Sequence, residues 1–385
     1  MNSCNGAKRS NLFVCLLLLL QSLPARADTL VEDVHVHTLP AKPGPHWLWV
    51  NDITFNHIAD GRATLVDGAS GEYLGMLSTG LMFLSLTIPS HHREIYAAQT
   101  YFSRDHRGVR SDVVAVYDAR TLSPVMEIPI PPKRGISMPT LWNAPLTDND
   151  RFMLIFNFTP ATSVSVVDVT ERKFLQEVEI PGCVLAYPSG PSRFLSLCGD
   201  GAVLDVVLDE TGQVLEKRRS TPFFDPWVDP VQEDAVRWKS GWLFYSDEGF
   251  IHTVLITEKG VSFPGKWVLL NDKDRQESWR PGGLQALAAH EASGRLYIVM
   301  HQGGAYSHDD PGREIWVFDL ASRARIQRIA TRNLVASIQI SGDGAPLLLT
   351  SFPGNPSVDV YDAISGKYLR TIGDLGYSPM VLQRH

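Results

Sequence analysis

Among the residues of this 385-residue chain that could do chemistry, two cysteines, Cys183 and Cys198, stand out by their spacing. Between them run an apolar stretch, the turn-forming Pro188-Ser189-Gly190-Pro191-Ser192, and a second apolar stretch from Phe194 to Leu197. That order sets the two thiols opposite each other across a hairpin, and in a chain carrying an export signal such a pair is expected to form a structural disulfide. Zinc binding or thiol catalysis needs more ligands or a paired base, and neither stands nearby in sequence. His35-Val36-His37 has the spacing of a metal-binding pair, since both imidazoles of a strand with that pattern project from one face. No carboxylate or third histidine follows at a supporting distance, so the segment reads as a surface or ring-closing strand, and no metal site is expected. His91-His92-Arg93 interrupts two apolar runs and reads as an exposed turn. There is no Gly-x-Ser-x-Gly nucleophile elbow and no Gly-rich loop followed by lysine, so no catalytic residue is expected in this chain.

The elements around these residues repeat. An apolar strand ending in aspartate, a turn of small polar residues and a second strand recur along the chain, with markers at Asp67, Asp118, Asp168, Asp209, Thr257, Asp319 and Asp362. Their spacings are 51, 50, 41, 48, 62 and 43 residues, close to the period at which one unit supplies a four-stranded propeller blade. The expected fold is therefore all-β, a seven-bladed β-propeller closed by N- and C-terminal strands, with residues Val31 to Val36 assigned to the closure. Each marker aspartate is expected to accept hydrogen bonds from backbone N–H groups two residues on and so hold the turn between a blade's outer strands. Short apolar segments such as Leu154 to Phe158, Trp242 to Tyr245, Leu296 to Met300 and Pro346 to Thr350 supply further strands. Two β-sandwich domains are the competing arrangement, but no Pro-, Gly- or Ser-rich linker divides the chain. A calcium-dependent hydrolase on a propeller would need carboxylates converging on the central channel, whereas the marker aspartates fall at rim turns.

Compartment and charge narrow the partners. Lys8 and Arg9, the apolar run Leu12 to Leu20 and Ala25-Arg26-Ala27 form the three regions of a secretory signal peptide, with cleavage expected after Ala27. Nine apolar residues are too few to span a bilayer as a helix. Residues 1–27 would leave with Cys4 and Cys15, and residues 28–385 would form the propeller domain. A formal charge of −7 without a basic patch argues against nucleic acid or anionic membrane as a partner.

Several stretches then resemble a known family. Gln99-Thr100-Tyr101-Phe102-Ser103-Arg104 and Arg107-Gly108-Val109-Arg110-Ser111-Asp112 are similar to the heavy (alpha) subunit of tryptophan tryptophylquinone-dependent amine dehydrogenases, most of all the aromatic amine dehydrogenase heavy chain. The likeness continues through Trp49-Val50-Asn51-Asp52, Pro131-Pro132-Lys133-Arg134, Pro160-Ala161-Thr162-Ser163, Cys198-Gly199-Asp200-Gly201, Trp267 to Asp272, Trp279-Arg280-Pro281-Gly282-Gly283 and Ser293-Gly294-Arg295-Leu296-Tyr297. It implies a periplasmic propeller without its own cofactor, in a complex of two heavy and two light subunits. The light subunit would carry tryptophan tryptophylquinone, oxidise primary amines to aldehyde and ammonia, and pass electrons to a small copper protein or a cytochrome. A stand-alone periplasmic binding or scaffold propeller is the alternative. The resemblance also places an aromatic residue of the heavy subunit on the passage to the quinone. Counting back from Ser103-Arg104 lands on Met82, and a shift of one residue lands on Phe83. Because strand residues alternate between faces, only one of the two can line that passage; the alternative is that Met82 and Phe83 are both blade core, in the mostly apolar strand Leu81 to Leu86.

Overall fold

The computed structural model describes residues 37–81, 85–135 and 140–385; the expected signal peptide, His35 and the segment Val31 to Val36 lie outside them. From Thr38 onward the chain forms one compact unit of seven antiparallel sheets in sequence order. The first blade holds Trp47–Asp52, Gly61–Asp67 and Tyr73–Gly80, and the second Glu94–Arg104, Arg107–Asp118 and Pro124–Ile130. Phe152–Asn157, Ser163–Asp168 and Lys173–Glu179 form the third, while Cys183–Gly190, Arg193–Cys198, Val203–Leu208 and Val214–Arg219 form the fourth. In the fifth, Val231–Trp238, Gly241–Ser246, Phe250–Thr257 and Gly260–Ser262 are joined by Lys266–Val268. Trp279–Pro281 and Leu287–His290 share the inner edge of the sixth, against Arg295–Gln302, Gly312–Asp319 and Ala324–Val335. Ser337–Ile340, Leu347–Phe352, Asn355–Asp362 and Tyr368–Ile372 complete the seventh. Innermost positions of the second and third blades are held by single bridges, Thr87 to Tyr96 and Leu146 to Met153.

Sheets stacked around an axis bury both faces, which is why the second and third strands read as nearly continuous apolar runs. Phe152–Asn157, Ser163–Asp168 and Gly241–Ser246 are buried at every position. The outer strand Val214–Arg219, by contrast, is largely exposed. Apolar clusters therefore lie between blades, one running from Phe152 through Tyr187 to Trp242 and another from Tyr245 through Trp316 to Tyr361. Burying each such large side chain contributes on the order of 2 kcal/mol.

Ring closure comes from the C-terminus. Pro379–Arg384 forms the innermost strand of the first blade, with Leu48 opposite Arg384 and Val50 opposite Leu382. Its free edge faces the central channel, where unpaired backbone groups would be costly. Gln285 caps that edge: its Nε2 donates to Leu382 O at 2.9 Å and its Oε1 accepts from Leu382 N at 2.8 Å. Asp52, fully buried, fastens the connector into this strand by accepting from the backbone N–H groups of Tyr377 (2.5 Å), Ser378 (2.9 Å) and its own neighbour Thr54 (2.7 Å). Gly376 is required there, because φ is +122° and an added Cβ would lie 2.2 Å from Asp52 Oδ2.

Six marker aspartates cap turns between third and fourth strands as expected. Asp118 accepts from the N–H groups of Arg120 at 3.0 Å and Thr121 at 2.8 Å, and Asp67, Asp168, Asp209, Asp319 and Asp362 repeat the arrangement. At Thr257 the hydroxyl donates to Gly260 O instead, at 3.1 Å.

Candidate functional site

Strand direction assigns each loop to one of two faces. Turns between first and second, and between third and fourth, strands share one face with the marker aspartates. Loops between second and third strands, and the connectors from blade to blade, share the other.

That second face carries an aromatic rim. Phe55, Tyr101, Phe158, Trp227, Tyr306 and Tyr377 all belong to its loops, hairpins and connectors, and Trp227 and Tyr306 are 90% and 76% exposed. Among the described residues the other strongly exposed aromatic is Tyr73, on an outer strand. Large aromatic side chains left in water on one face mark a surface built to be covered, since such residues dominate the buried centres of protein interfaces.

The longest projection on this face is the hairpin of Glu94–Arg104 and Arg107–Asp118, and a buried polar cluster braces its base. Asp112 is buried and accepts Arg110 Nε at 2.8 Å, Arg110 Nη2 at 2.7 Å and the Thr100 hydroxyl at 2.9 Å. Arg134, also buried, donates its backbone N–H to Asp112 Oδ2 at 3.0 Å, its Nε to Thr100 Oγ1 at 3.1 Å and its Nη2 to Leu81 O at 3.1 Å. Burial pulls the Arg134 guanidinium down to about 10, with Asp112 opposing the shift. Leu81 N completes the brace by donating to Thr100 O at 3.0 Å. Gly80 adopts φ +74°, and Tyr101 lies against it so closely that a Cβ there would meet the ring at 3.0 Å. Tyr101 shares a short hydrogen bond with Gln99, and burial pushes its phenol up to about 12.

Met82 and Phe83 lie outside the described residues. Their flanks are fixed: Leu81 is clamped as above, and buried Ser85 donates to Thr140 O at 3.2 Å. The chain therefore leaves the described structure at Leu81, next to Tyr101, and re-enters it at Ser85.

The other sequence candidates sit apart. Cys183 and Cys198 are disulfide-bonded at directly opposed positions of the first two strands of the fourth blade. Pro188 and Ser189 belong to the first of those strands, so the turn between them is shorter than the sequence indicated. His37 is exposed. His91 is exposed as expected, but His92 is half-buried, stacked on His385 at 5.4 Å, because the C-terminal residue folds back against Trp47 and Trp49. Burial and the neighbouring His92 pull the His385 imidazole down to about 4. Among the described residues no group of three or more His, Cys, Asp or Glu side chains is placed to hold a metal ion, and no helix is long and apolar enough to cross a membrane.

Sequence reasoning missed Asp52, Arg110, Asp112 and Arg134 as structural actors. The only signal was that all four fall inside blocks marked by the family resemblance.

Such a molecule is a seven-bladed β-propeller with one aromatic rim, and solved propellers share its architecture. A protein of unknown function from Desulfotomaculum acetoxidans DSM 771 superposes with a TM-score of 0.61 at 11% identity, covering 88% of this chain and 98% of that one. The β-propeller domain of Myceliophteria thermophila Cps50 (Swd1) does so with a TM-score of 0.53 at 10% identity, over 87% and 96% of the respective chains. At these identities the likeness shows the fold alone. Residues 46–384 match the family described as methylamine dehydrogenase heavy chain, and the chain belongs to that family. The methylamine dehydrogenase heavy chain of Paracoccus versutus is 30% identical over 329 residues, covering 83% of this chain and 75% of its own. That of Methylophilus methylotrophus is 29% identical over 321 residues, covering 82% and 78%.

Proposed function

We propose that this chain is the heavy subunit of a periplasmic quinone-dependent amine dehydrogenase, exported by cleavage after Ala27. It pairs with a small light subunit, two of each in the complex, and the light subunit carries tryptophan tryptophylquinone. When bound, that group supplies the oxidation of primary amines to aldehyde and ammonia, and its electrons leave to a small copper protein or cytochrome. The observation that carries this reading is the aromatic rim, which gives a member of the heavy-chain family a surface to be covered. A partner-borne group fits a chain in which Trp49, Trp242 and Trp316 are fully buried packing residues.

In this reading the chain's own residues position and shield. Covering Phe55, Tyr101, Tyr306 and Tyr377 excludes water from the contact. The Asp112, Arg110 and Arg134 brace fixes Leu81, and Met82 or Phe83, which follow it in sequence, lines the amine passage without an acid–base role. A methionine there would leave a more adaptable passage than a rigid ring, favouring bulky or varied amines.

Purification from the native periplasm, with a visible spectrum and the subunit composition of the product, tests the proposal. A small cysteine-rich subunit with quinone absorbance is the expected result. A colourless, solitary chain would favour the stand-alone scaffold instead.

A further inference from the structure

On the face opposite the rim, the central channel opens into a cavity of about 370 Å³. That volume lies at the lower end of the range for small-molecule sites, roughly 300–1,000 Å³, and apolar and polar side chains share the wall about equally. Leu86, Ile88, Trp142 and Leu146 supply the apolar part. Most polar side chains in the wall are already satisfied. Arg237 donates to Pro188 O at 2.5 Å and pairs with Asp148 at 3.4 Å. Asp150 accepts from the backbone N–H of Ser90 at 2.8 Å and from its hydroxyl. Gln339 and Gln383 donate to the carbonyls of Leu382 and Leu86, at 3.2 and 2.9 Å.

Arg384 is different. Its guanidinium lines the cavity, and a Cβ on Gly342 would stand 3.0 Å from its Nη1. Among the described residues it has no hydrogen-bond or ion-pair partner. Partial desolvation by neighbouring protein pulls its pKa down, and Glu291 opposes the shift. Arg384 is exposed where it lines the cavity, and a guanidinium with its fork unfilled there favours a planar anion that it can bind bidentately. The nearby carboxylates of Asp148 and Asp150 disfavour a multiply charged one such as phosphate.

We propose that this cavity binds a small organic carboxylate, its carboxylate paired with Arg384 and its apolar body against Trp142 and Leu146. Trp142 provides the readout. Benzoate titrated into the purified protein should change tryptophan fluorescence saturably in the low-millimolar range or below, with matching heat by calorimetry. Arg384→Gln should weaken benzoate binding at least tenfold. Ile88→Trp, which fills the cavity and leaves Arg384 intact, should abolish it. Benzyl alcohol, of the same shape without the charge, should bind at least tenfold more weakly, and inorganic phosphate should not compete. Far-UV circular dichroism establishes that each variant is folded. The proposal is overturned if benzoate does not bind the unsubstituted protein, if Arg384→Gln or Ile88→Trp binds it undiminished, or if phosphate binds as tightly, which would mean a bare anion site.

Discussion

Replacing Arg134 by methionine removes the cation that ties Leu81, Thr100 and Asp112 together while keeping an apolar stem of similar length. Among the described residues its Nε donates to Thr100 Oγ1 and its Nη2 to Leu81 O, both at 3.1 Å and buried. Breaking a buried charged cluster by deleting one member costs about 3–5 kcal/mol, because the remaining groups stay buried and unpaired. Here the lower end applies. Asp112 keeps both Arg110 contacts, at 2.8 and 2.7 Å, and the Arg134 backbone N–H survives the substitution. Unfolding entropy of about 2.1 cal/mol/K per residue, over roughly 340 residues of ring, makes about 0.7 kcal/mol/K, so a loss of 3 kcal/mol lowers Tm by about 4 °C. Differential scanning calorimetry of the variant measures this. A second readout separates a local role from a general one: in the assembled complex, freeing Leu81 should alter the ratio of kcat/KM for a small and an aromatic amine, because segment 82–84 begins there. A Tm within 1 °C of the unsubstituted protein would refute the claim that the cluster is cooperative. A lower Tm with an unchanged substrate ratio would refute its connection to the passage.

Substituting both Cys183 and Cys198 by serine should cost about 3 kcal/mol in the chain-entropy account of a 15-residue loop, measured by denaturant titration, and intact mass of the native protein should show no free thiol. His252 is buried, and burial together with Lys266 lowers its pKa to about 4 against 6.5 unfolded. The unfolded state therefore takes up a proton first, and stability is lost as pH falls from about 6.5 towards 4. His252→Phe should flatten that loss by up to about 3 kcal/mol in denaturant titrations across the window. Alanine at Met82 or Phe83 should change amine preference in the assembled complex for one of the two; unchanged relative kcat/KM in both would sink the assignment. Asp118→Ala, which removes a turn cap, should cost about 1 kcal/mol by thermal unfolding, with no effect on subunit assembly.

Blade number and turn positions were legible in the sequence because they are local. Asp67, Asp118, Asp168, Asp209, Asp319 and Asp362 each hold a turn within four residues of themselves, so the signal survives without knowledge of the fold. The disulfide was legible for the same reason, its partners lying across a single hairpin. Thr257 shows the limit: the turn remains, but its hydrogen bond runs in the opposite sense.

What joins distant parts of the chain left no such pattern. Leu81 and Arg134 meet from 53 positions apart, and Gln285 caps Leu382 from 97. The closing strand is Pro379–Arg384, with Asp52 as its fastening, although many apolar segments could have paired there equally well by composition. The rim aromatics have no common spacing, because loops on that face differ in length and only the ring brings their tips together. Repetition along the chain thus determined the blades, their turns and their crosslink. The tertiary structure alone decided the closure, the brace of Arg110, Asp112 and Arg134 and the channel cavity lined by Arg384, since those contacts form only after seven sheets have packed around one axis.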